Sequence, residues 1–311
     1  MCINHIDVLT IQETHKSGNT RELGRWYSWY YSGGPDGEFV IEQGERKWKP
    51  INRCFHGVAI IADNKWRNYI LDIDTPTERQ MIMKLRGKVD IHIIAAYAPT
   101  AAETMEEKDK FYDQLRSSVN ARKKKGMVII GADMNARILE PGNNPSDGIG
   151  PYVFGSDTPP TREAPGVEDN RQLLQDFLIR TNTTLTNTYF MKRPEHQITY
   201  RVDKTARTEP PYTKNRFEVI DYIIVHKRWQ NSVKNVYSDI TSGVDSDHYP
   251  LVADIKINLK AEYRKQKEKL VFQPCNTTEK LAFNEQLART QPEILSHTSV
   301  SDWIKEAAAQ T

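Results

Sequence analysis

The chain has 311 residues, of which 38% are hydrophobic and 27% are charged, and its formal net charge is +2. This balance supports a packed core and excludes a wholly disordered chain, while the net charge is too small to indicate nucleic-acid binding by itself. The length accommodates one large domain with an appendage or two ordinary domains. One globular, soluble domain followed by a tail fits the pattern below better.

Location is indicated by hydropathy and by cysteine usage. No run approaches the roughly 18 apolar residues of a membrane span, and the first residues lack the basic-then-apolar order of a secretory signal. Cys2, Cys54 and Cys275 are odd in number and far apart, which favours reduced thiols over a disulfide scaffold. We therefore expect an intracellular protein without a membrane partner.

Eight apolar or alternating segments predict β-strands. They are residues 7–12, 57–62, 68–73, 89–97, 127–131, 197–202, 219–225 and 249–257. The run 91–97 has too few polar residues for an exposed strand, so it is predicted to lie inside a sheet that is covered on both faces.

Two helices are predicted between these strands. Thr100 followed by Glu103 resembles a capping box, and the apolar stripe after it consists of Met105, Tyr112, Leu115 and Val119. A second helix is predicted to begin near Asn170, with Asn170 as its N-cap. Its apolar residues at helical spacing are Leu173, Leu174, Phe177 and Leu178.

Two long loops and a change of composition complete the organisation. Loops 140–169 and 203–216 are either functional surface or poorly ordered segments, and the sequence favours neither. After Ile257 the chain becomes strongly charged as far as Lys269. We therefore predict one domain over residues 1–257, followed by a charged linker and short helical tail over residues 258–311.

Polar residues capable of metal and phosphate chemistry lie at the ends of four predicted strands. Glu13 follows the first strand, Asp133 and Asn135 follow the strand 127–131, Asp221 interrupts the strand 219–225, and Asp247 with His248 precedes the last strand. Carboxylate and amide oxygens suit hard divalent cations, and a carboxylate can orient an imidazole. The pattern predicts a metal-dependent phosphodiesterase centre.

Each residue also has an ordinary structural interpretation. Glu13 alone fits a solvated turn residue, and turns favour Asp and Asn at positions such as Asp133 and Asn135. His248 alone fits a structural histidine, but Asp221 and Asp247 shift that balance. Tyr97, in Tyr97-Ala98-Pro99-Thr100, fits a core aromatic residue that closes a strand equally well.

Six motifs in chain order resemble the endonuclease/exonuclease/phosphatase superfamily over residues 3 to about 257. They are Gln12-Glu13-Thr14, Tyr97-Ala98-Pro99-Thr100, Gly131-Ala132-Asp133-Met134-Asn135, Ile198-Thr199-Tyr200-Arg201, Ile220-Asp221-Tyr222-Ile223 and Ser246-Asp247-His248. The resemblance implies an α/β fold, a four-layer sandwich of two mixed β-sheets flanked by helices, with the site at the loop ends of the sheets.

The resemblance assigns metal binding to two acidic residues and water activation to a third. Glu13 would bind Mg²⁺ or Mn²⁺, and Asp247 would belong to the same cluster. Asp133 would activate or orient the attacking water, while Asn135 would hold a phosphate oxygen. These roles agree with metal-assisted displacement at phosphorus.

The remaining matched residues would act on charge and on substrate. His248, paired with Asp221, would stabilise the charge that develops on the phosphorane. Tyr97 would assist at the phosphate or leaving group, and Thr199 would contact the nucleic-acid backbone.

A finer resemblance concerns the endonuclease domains of retrotransposons that lack long terminal repeats. Asn187-Thr188-Tyr189-Phe190 and Lys227-Arg228-Trp229 carry it. Family members normally begin with a further strand bearing a Trp-Asn pair, and Met1 falls after the place where that strand should end. We therefore expect the first strand to be missing and the chain to be a truncated endonuclease portion.

The leading hypothesis is Mg²⁺-dependent endonucleolytic cleavage of DNA that leaves a 3′-hydroxyl, in the nucleus if chromosomal DNA is the target. A phosphatase acting on phosphoinositides or another phosphoester uses the same chemistry. A non-catalytic remnant that binds nucleic acid is the alternative from another class. The sequence indicates no particular protein partner.

Overall fold

The computed structural model describes residues 6–35, 37–42, 45–50, 56–156, 166–202 and 207–259. Contacts divide the chain into two units, Met1–Glu262 and Tyr263–Thr311, and every described residue belongs to the first. The predicted tail lies outside the described residues from residue 260 onward, as do Cys2, Cys54 and Cys275. The domain boundary after residue 257 stays a prediction.

Short strands dominate the described residues. They are β1 (Val8–Ile11), β2 (Thr20–Leu23), β3 (Tyr27–Ser32), β4 (Gly37–Glu42), β5 (Glu45–Pro50), β6 (Val58–Asp63), β7 (Ile70–Thr77), β8 (Gln80–Leu85), β9 (Asp90–Tyr97), β10 (Gly126–Asp133), β11 (Thr183–Leu185), β12 (Tyr200–Arg201), β13 (Phe217–Glu218), β14 (Asp221–His226), β15 (Val233–Ser238) and β16 (Leu251–Ile255). The α-helices of this part of the chain are α1 (Met105–Lys123) and α2 (Val167–Thr181).

The larger strands form two sheets. One has the order β11-β14-β10-β9-β8-β7 and is mixed, because β9 and β10 are parallel while its other pairs are antiparallel. The other has the order β1-β6-β3-β2 and is antiparallel throughout. Three hairpins, β4–β5, β12–β13 and β15–β16, pair separately.

Residue alternation in the six-stranded sheet builds two hydrophobic cores. On one face, Ile94, Val128 and Ile130 pack against Phe111 and Leu115 of α1, in a cluster that also contains apolar residues of α2. On the other face, the odd-numbered residues of β9 and β10 meet the four-stranded sheet and the β15–β16 hairpin; they are Ile91, Ile93, Ala95, Tyr97, Met127 and Ile129. The predicted α/β sandwich is confirmed, although the smaller sheet is antiparallel rather than mixed.

Both predicted helices form, but each begins at a different residue from the one predicted. The capping box of α1 is Thr104 with Glu107 rather than Thr100 with Glu103. Helix α2 begins at Val167 after Gly166, so Asn170 lies in its first turn instead of at its N-cap. Among the described residues, no helix is both long and apolar enough to cross a bilayer.

Several strands escaped prediction. They are β2, β3, β4, β5, β8, β11, β13 and β15. Most of them mix charged and aromatic residues or are very short, while β8 is a largely apolar strand that the prediction missed. In the predicted loop 140–169, the structure describes a short 3₁₀ helix, Pro145–Asp147. The predicted strand 197–202 shrinks to Tyr200–Arg201, because Thr199 and its neighbours bond to other segments.

Candidate active site

Three adjacent strands of the six-stranded sheet bring Tyr97, Asp133 and Asp221 to one edge. Tyr97 ends β9 and lies opposite Asp133, which ends the parallel strand β10. Asp133 in turn lies opposite Asp221, the first residue of the antiparallel strand β14. Neighbouring residues in a sheet have close side chains when they share a face, so the two carboxylates are near each other.

Glu13 reaches the same place from the facing sheet. Gly131 makes this possible, because a Cβ atom at that position would lie 2.3 Å from Oγ1 of Thr10 in β1. Gln12 Nε2 donates a hydrogen bond to the Gly131 carbonyl at 3.2 Å, and the Tyr97 hydroxyl donates to Oε1 of Glu13 at 2.5 Å. The close approach of β1 to β10 thus places a third carboxylate beside Tyr97.

His248 is held against Asp221 from a loop. Its Nδ1 lies 3.0 Å from Oδ2 of Asp221, and its backbone N–H donates to Oγ of Ser246 at 3.0 Å. The ring of Tyr200 packs on the imidazole, with the ring centroids 4.9 Å apart. With Nδ1 donating to the carboxylate, Nε2 is left as the atom that can face a substrate.

Thr199 lies beneath Asp221 and is fully buried. Its Oγ1 accepts hydrogen bonds from the backbone N–H groups of Ile220 and Asp221, each at 3.1 Å. The hydroxyl therefore orients the start of β14. The contact of Thr199 with nucleic acid stays a prediction.

Asn135 bridges the loops that follow β9 and β10. Its backbone N–H donates to Oδ1 of Asp133 at 2.9 Å, and its Nδ2 donates to the Ala98 carbonyl at 2.9 Å. Asn135 and Glu13 also share left-handed backbone conformations, with φ of 46° and 53°. Non-glycine residues rarely adopt positive φ, and such strain concentrates at functional sites.

Burial and crowding shift the pKa values of the central groups. Burial, and then the neighbouring carboxylate of Asp221, raise the pKa of Asp133 to about 8. Burial lowers the pKa of His248, but the hydrogen bond and charge of Asp221, with Asp133 and Glu13, outweigh it and raise the pKa to about 9. Burial and Glu13 also raise the pKa of Tyr97. At neutral pH the imidazole is a cation and the Tyr97 hydroxyl keeps its proton.

Among the described residues, the donor atoms of Asp133, Asp221 and His248 lie within 4.8 Å of one another, which is close enough for them to hold one metal ion. Glu13 and Asp247, which the resemblance assigned to the metal, are outside this group. Asp247 instead forms an ion pair with Arg201, with Oδ1 and Nη2 3.5 Å apart.

The carboxylates at this edge fit a divalent cation. Burial, and then the charge of Asp221, raise the pKa of Asp133, and a hard cation with oxygen ligands would offset both effects. His248 is a less suitable ligand here, because its Nδ1 is engaged by Asp221 at 3.0 Å and hard cations prefer oxygen ligands. The oxygens of Asp133, Asp221 and Glu13 are therefore better ligands than the histidine nitrogen.

Sequence reasoning missed a supporting layer around Tyr97. The guanidinium of Arg79 lies over the Tyr97 ring, 5.2 Å from its centroid. Its Nη2 donates to Oε2 of Glu103 at 2.6 Å and lies 3.2 Å from Nε2 of His56. Arg79 lies in the turn just before β8, and β8 was not predicted as a strand, so no sequence pattern linked Arg79 to the site.

Sequence comparison identifies a distant relative of the chain. No family model matches the chain. Craniofacial development protein 2 of Bos taurus is 27% identical over 208 residues, which cover 66% of this chain and 31% of that protein. The chain thus spans about a third of the length of this curated relative.

Three solved structures have a similar fold. The catalytic domain of Xenopus laevis APE2 has a TM-score of 0.54 and 16% identity, covering 83% of this chain and 87% of that one. An AP endonuclease from Archaeoglobus fulgidus has a TM-score of 0.53 and 17% identity, with coverages of 82% and 91%. An endonuclease/exonuclease/phosphatase family protein from Leptotrichia buccalis has a TM-score of 0.50 and 13% identity, with coverages of 82% and 89%. The chain has the endonuclease/exonuclease/phosphatase fold.

Proposed function

We propose that this chain is a divalent-metal-dependent endonuclease that hydrolyses phosphodiester bonds in DNA. The observation that carries the proposal is the joint placement of Asp133, Asp221 and His248, with donor atoms within 4.8 Å of one another. A buried carboxylate beside a carboxylate-bound imidazolium supplies a base for water and a cation for a developing negative charge.

The protein residues divide the hydrolysis between them. With its pKa lowered by a bound cation, the carboxylate of Asp133 accepts a proton from the attacking water. The water oxygen bonds to phosphorus, the bond from phosphorus to the 3′ oxygen breaks, and that oxygen takes up a proton from solvent to leave a 3′-hydroxyl. Nε2 of His248 donates a hydrogen bond to a phosphate oxygen, and Asp221 keeps the imidazole charged and oriented. The second hydrogen on Nδ2 of Asn135 is available for another phosphate oxygen, since the first is bonded to Ala98.

Glu13, with Asp133 and Asp221, would hold Mg²⁺ or Mn²⁺, and Asp247 is the further ligand that the motif resemblance proposes. Such a cation supplies charge neutralisation at the phosphate and lowers the pKa of a nearby carboxyl group. Tyr97 positions Glu13 through its hydroxyl. This arrangement supports metal dependence, with Mg²⁺ proposed as the physiological ion.

DNA is proposed as the substrate on two grounds. The similar structures from Xenopus laevis and Archaeoglobus fulgidus are named as APE2 and as an AP endonuclease. Basic residues also flank, in sequence, the segment that carries Tyr200, the residue in contact with His248. They are Lys192, Arg193, Arg207, Lys214 and Arg216. The finer proposal of an origin in a retrotransposon lacking long terminal repeats rests on Asn187-Thr188-Tyr189-Phe190 and Lys227-Arg228-Trp229. Action in the nucleus follows if chromosomal DNA is the substrate.

The test is nicking of supercoiled plasmid by the purified 311-residue chain with Mg²⁺ or Mn²⁺. Asp133→Ala and His248→Ala should each lower kcat by about 10² or more, as expected for loss of a proton-transfer or charge-stabilising group. Glu168→Ala and His226→Ala are matched controls, because Glu168 is an exposed acid on α2 and His226 ends β14 away from the site.

Parallel assays separate the alternatives. Nicking should weaken steeply with salt, because basic side chains displace counterions from the DNA backbone. If the chain hydrolyses inositol phosphates and leaves plasmid intact, it is a phosphatase. Salt-sensitive DNA binding without hydrolysis of either substrate would show a non-catalytic binding protein.

A further inference from the structure

Asn170 joins the two loops that follow β9 and β10, the strands that end at Tyr97 and Asp133. It lies in the first turn of α2 and is 1% exposed. Its Nδ2 donates one hydrogen bond to the Pro99 carbonyl at 3.0 Å and another to the Asn135 carbonyl at 2.9 Å. Both hydrogens of one side-chain amide are thus used on two separate loops.

These two carbonyls occupy equivalent positions in the site. Pro99 and Asn135 each come two residues after a site residue, Tyr97 and Asp133, which are opposite each other in neighbouring parallel strands. The loops therefore leave the sheet at the same edge, where backbone pairing ends soon after the hydrogen bond from the Ala98 N–H to the Asp133 carbonyl at 2.9 Å. Asn170 replaces that pairing with side-chain hydrogen bonds.

The link extends to the Asp133 carboxylate. The residue whose carbonyl Asn170 holds is also the residue whose N–H donates to Oδ1 of Asp133. Asn135 keeps this N–H in place with a strained backbone, φ 46°. Removing the hydrogen bond to its carbonyl would let the loop relax toward a commoner conformation and release the carboxylate.

Helix α2 holds the side-chain amide of Asn170 in a fixed position. Lys108 of α1 is buried, and its Nζ donates to the carbonyls of Ala101 at 3.1 Å and Gly166 at 3.3 Å. The Tyr112 hydroxyl donates to the backbone carbonyl of Asn170 at 3.4 Å. These contacts fix the start of α2 to α1 and to the loop after β9.

We propose that Asn170 is a positioning residue, which holds the loops after β9 and β10 so that Asp133 and Asn135 face the substrate. The inference deepens the proposed function and rests on it. Asparagine suits the task because two acceptors require two donors on one short planar group. Serine offers a single donor, and aspartate offers none when ionised.

The first experiment needs no substrate. Backbone amide exchange is measured by NMR or mass spectrometry for Asn170→Ala and for Thr181→Val. Thr181 is a matched control at the other end of α2, because it is buried and its Oγ1 donates to the Phe177 carbonyl at 2.6 Å. We expect the Asn135 amide to exchange about tenfold faster in Asn170→Ala, as local opening becomes easier, and to be unchanged in Thr181→Val.

The second experiment is kinetic. Asn170→Ala should lower kcat by about 10-fold to 10² with little change in KM, as expected for a misplaced reacting group. In a background that already carries Asn135→Ala the same change should have a much smaller effect, because the two residues act through one loop. Thr181→Val should destabilise the fold while kcat per folded molecule is kept.

The outcomes decide between positioning and simple stability. Unchanged exchange at Asn135 overturns the proposal, as does an equal kcat loss in Thr181→Val or full additivity with Asn135→Ala. If Asn170→Ala does not fold, Asn170→Ser is measured in the same way, since it keeps one donor. If the wild-type chain hydrolyses nothing, the proposed function fails while amide exchange still decides the role of Asn170.

Discussion

Nδ1 of His248 lies 3.0 Å from Oδ2 of Asp221, although 27 residues separate them in the chain. Asp221 is the first residue of β14 and His248 belongs to the loop before β16. Their hydrogen bond links a strand end to a loop residue whose imidazole also packs on Tyr200 of β12. The charge of His248 depends on this contact.

The first prediction concerns that dependence. Asp221→Asn removes the charge that raises the pKa of His248, leaving burial as the main influence, so the pKa should fall from about 9 to below its ordinary value of about 6.5. Titration of the His248 ring by NMR measures the change directly. A pKa that stays near 9 would contradict the role given to Asp221.

Wild-type stability should follow the same pair with pH. Because the folded pKa of His248 is raised above the unfolded value, its stabilising contribution is complete below about pH 6.5. That contribution is lost as the pH rises through about 9. Asp221→Asn should abolish this part of the pH dependence in urea unfolding curves.

The second prediction is that replacing Asp133 has opposite effects on activity and on stability. Because its folded pKa is raised to about 8, the carboxyl group costs stability as the pH rises from its ordinary value of about 3.9. Asp133→Asn should therefore abolish activity yet increase the free energy of unfolding by about 1 to 2 kcal/mol at pH 8 with EDTA present. Added Mn²⁺ should stabilise the wild type and not the variant. Lower stability of Asp133→Asn in EDTA would refute the crowding argument.

Thr199 provides the third prediction. Thr199→Val leaves the N–H groups of Ile220 and Asp221 without their acceptor, so we expect a loss of about 1 to 3 kcal/mol of stability and a lower kcat. Thr199→Ser keeps the acceptor and should be close to wild type. If Thr199 contacted nucleic acid instead, KM for plasmid would rise in Thr199→Val while stability stayed constant.

The fourth prediction uses a histidine remote from the chemistry. His92 in β9 is 4% exposed, and neither ring nitrogen has a hydrogen-bond partner within the described part of the chain. Burial, and then Arg122, lower its pKa to about 4. The folded state therefore disfavours protonation, and stability should fall by about 2 kcal/mol between about pH 6.5 and pH 5 from this group alone. His92→Phe should flatten that part of the profile, and an unaltered profile would show that folding does not lower the pKa of His92.

The fifth prediction compares Glu13 with Asp247, the two metal ligands that the motif resemblance assigns. Glu13→Ala should weaken Mn²⁺ binding by at least about tenfold, because its carboxylate lies with Tyr97 at the centre of the site and carboxylates suit hard cations. Asp247→Ala should weaken it less, because Asp247 is paired with Arg201. Calorimetric titration of both variants is the measurement. Equal affinity of Glu13→Ala and wild type would remove Glu13 from the metal site.

Sequence reasoning located the strand ends of the site because β9, β10 and β14 are strongly apolar. Runs such as Ile91–Tyr97 define a buried strand by composition alone, and the polar residue at each strand end then stands out. The start of α2 was harder to predict. Gly166 precedes the first helical residue, and Asn170 has its partners in two loops that are distant in sequence, so spacing along the helix suggested an N-cap.

Thr199 shows a second limit of prediction from the sequence. A threonine within a motif can bond to substrate or to its own backbone, and the sequence does not distinguish these partners. The choice depends on how the segment before β12 packs under β14, where the Thr199 N–H also donates to the Glu218 carbonyl at 2.8 Å. Such packing is decided by the whole fold rather than by local pattern.

Gly131, which lets β1 approach β10, also ties catalysis to strand register. Asp133 faces the four-stranded sheet because it shares a face with Gly131, two residues earlier. A slip of one residue in the pairing of β10 would turn its carboxylate toward α1 and α2. The orientation of Asp133 therefore depends on the pairing of β10 inside the sandwich, whereas Asn135 and His248 depend on the loops that hold them.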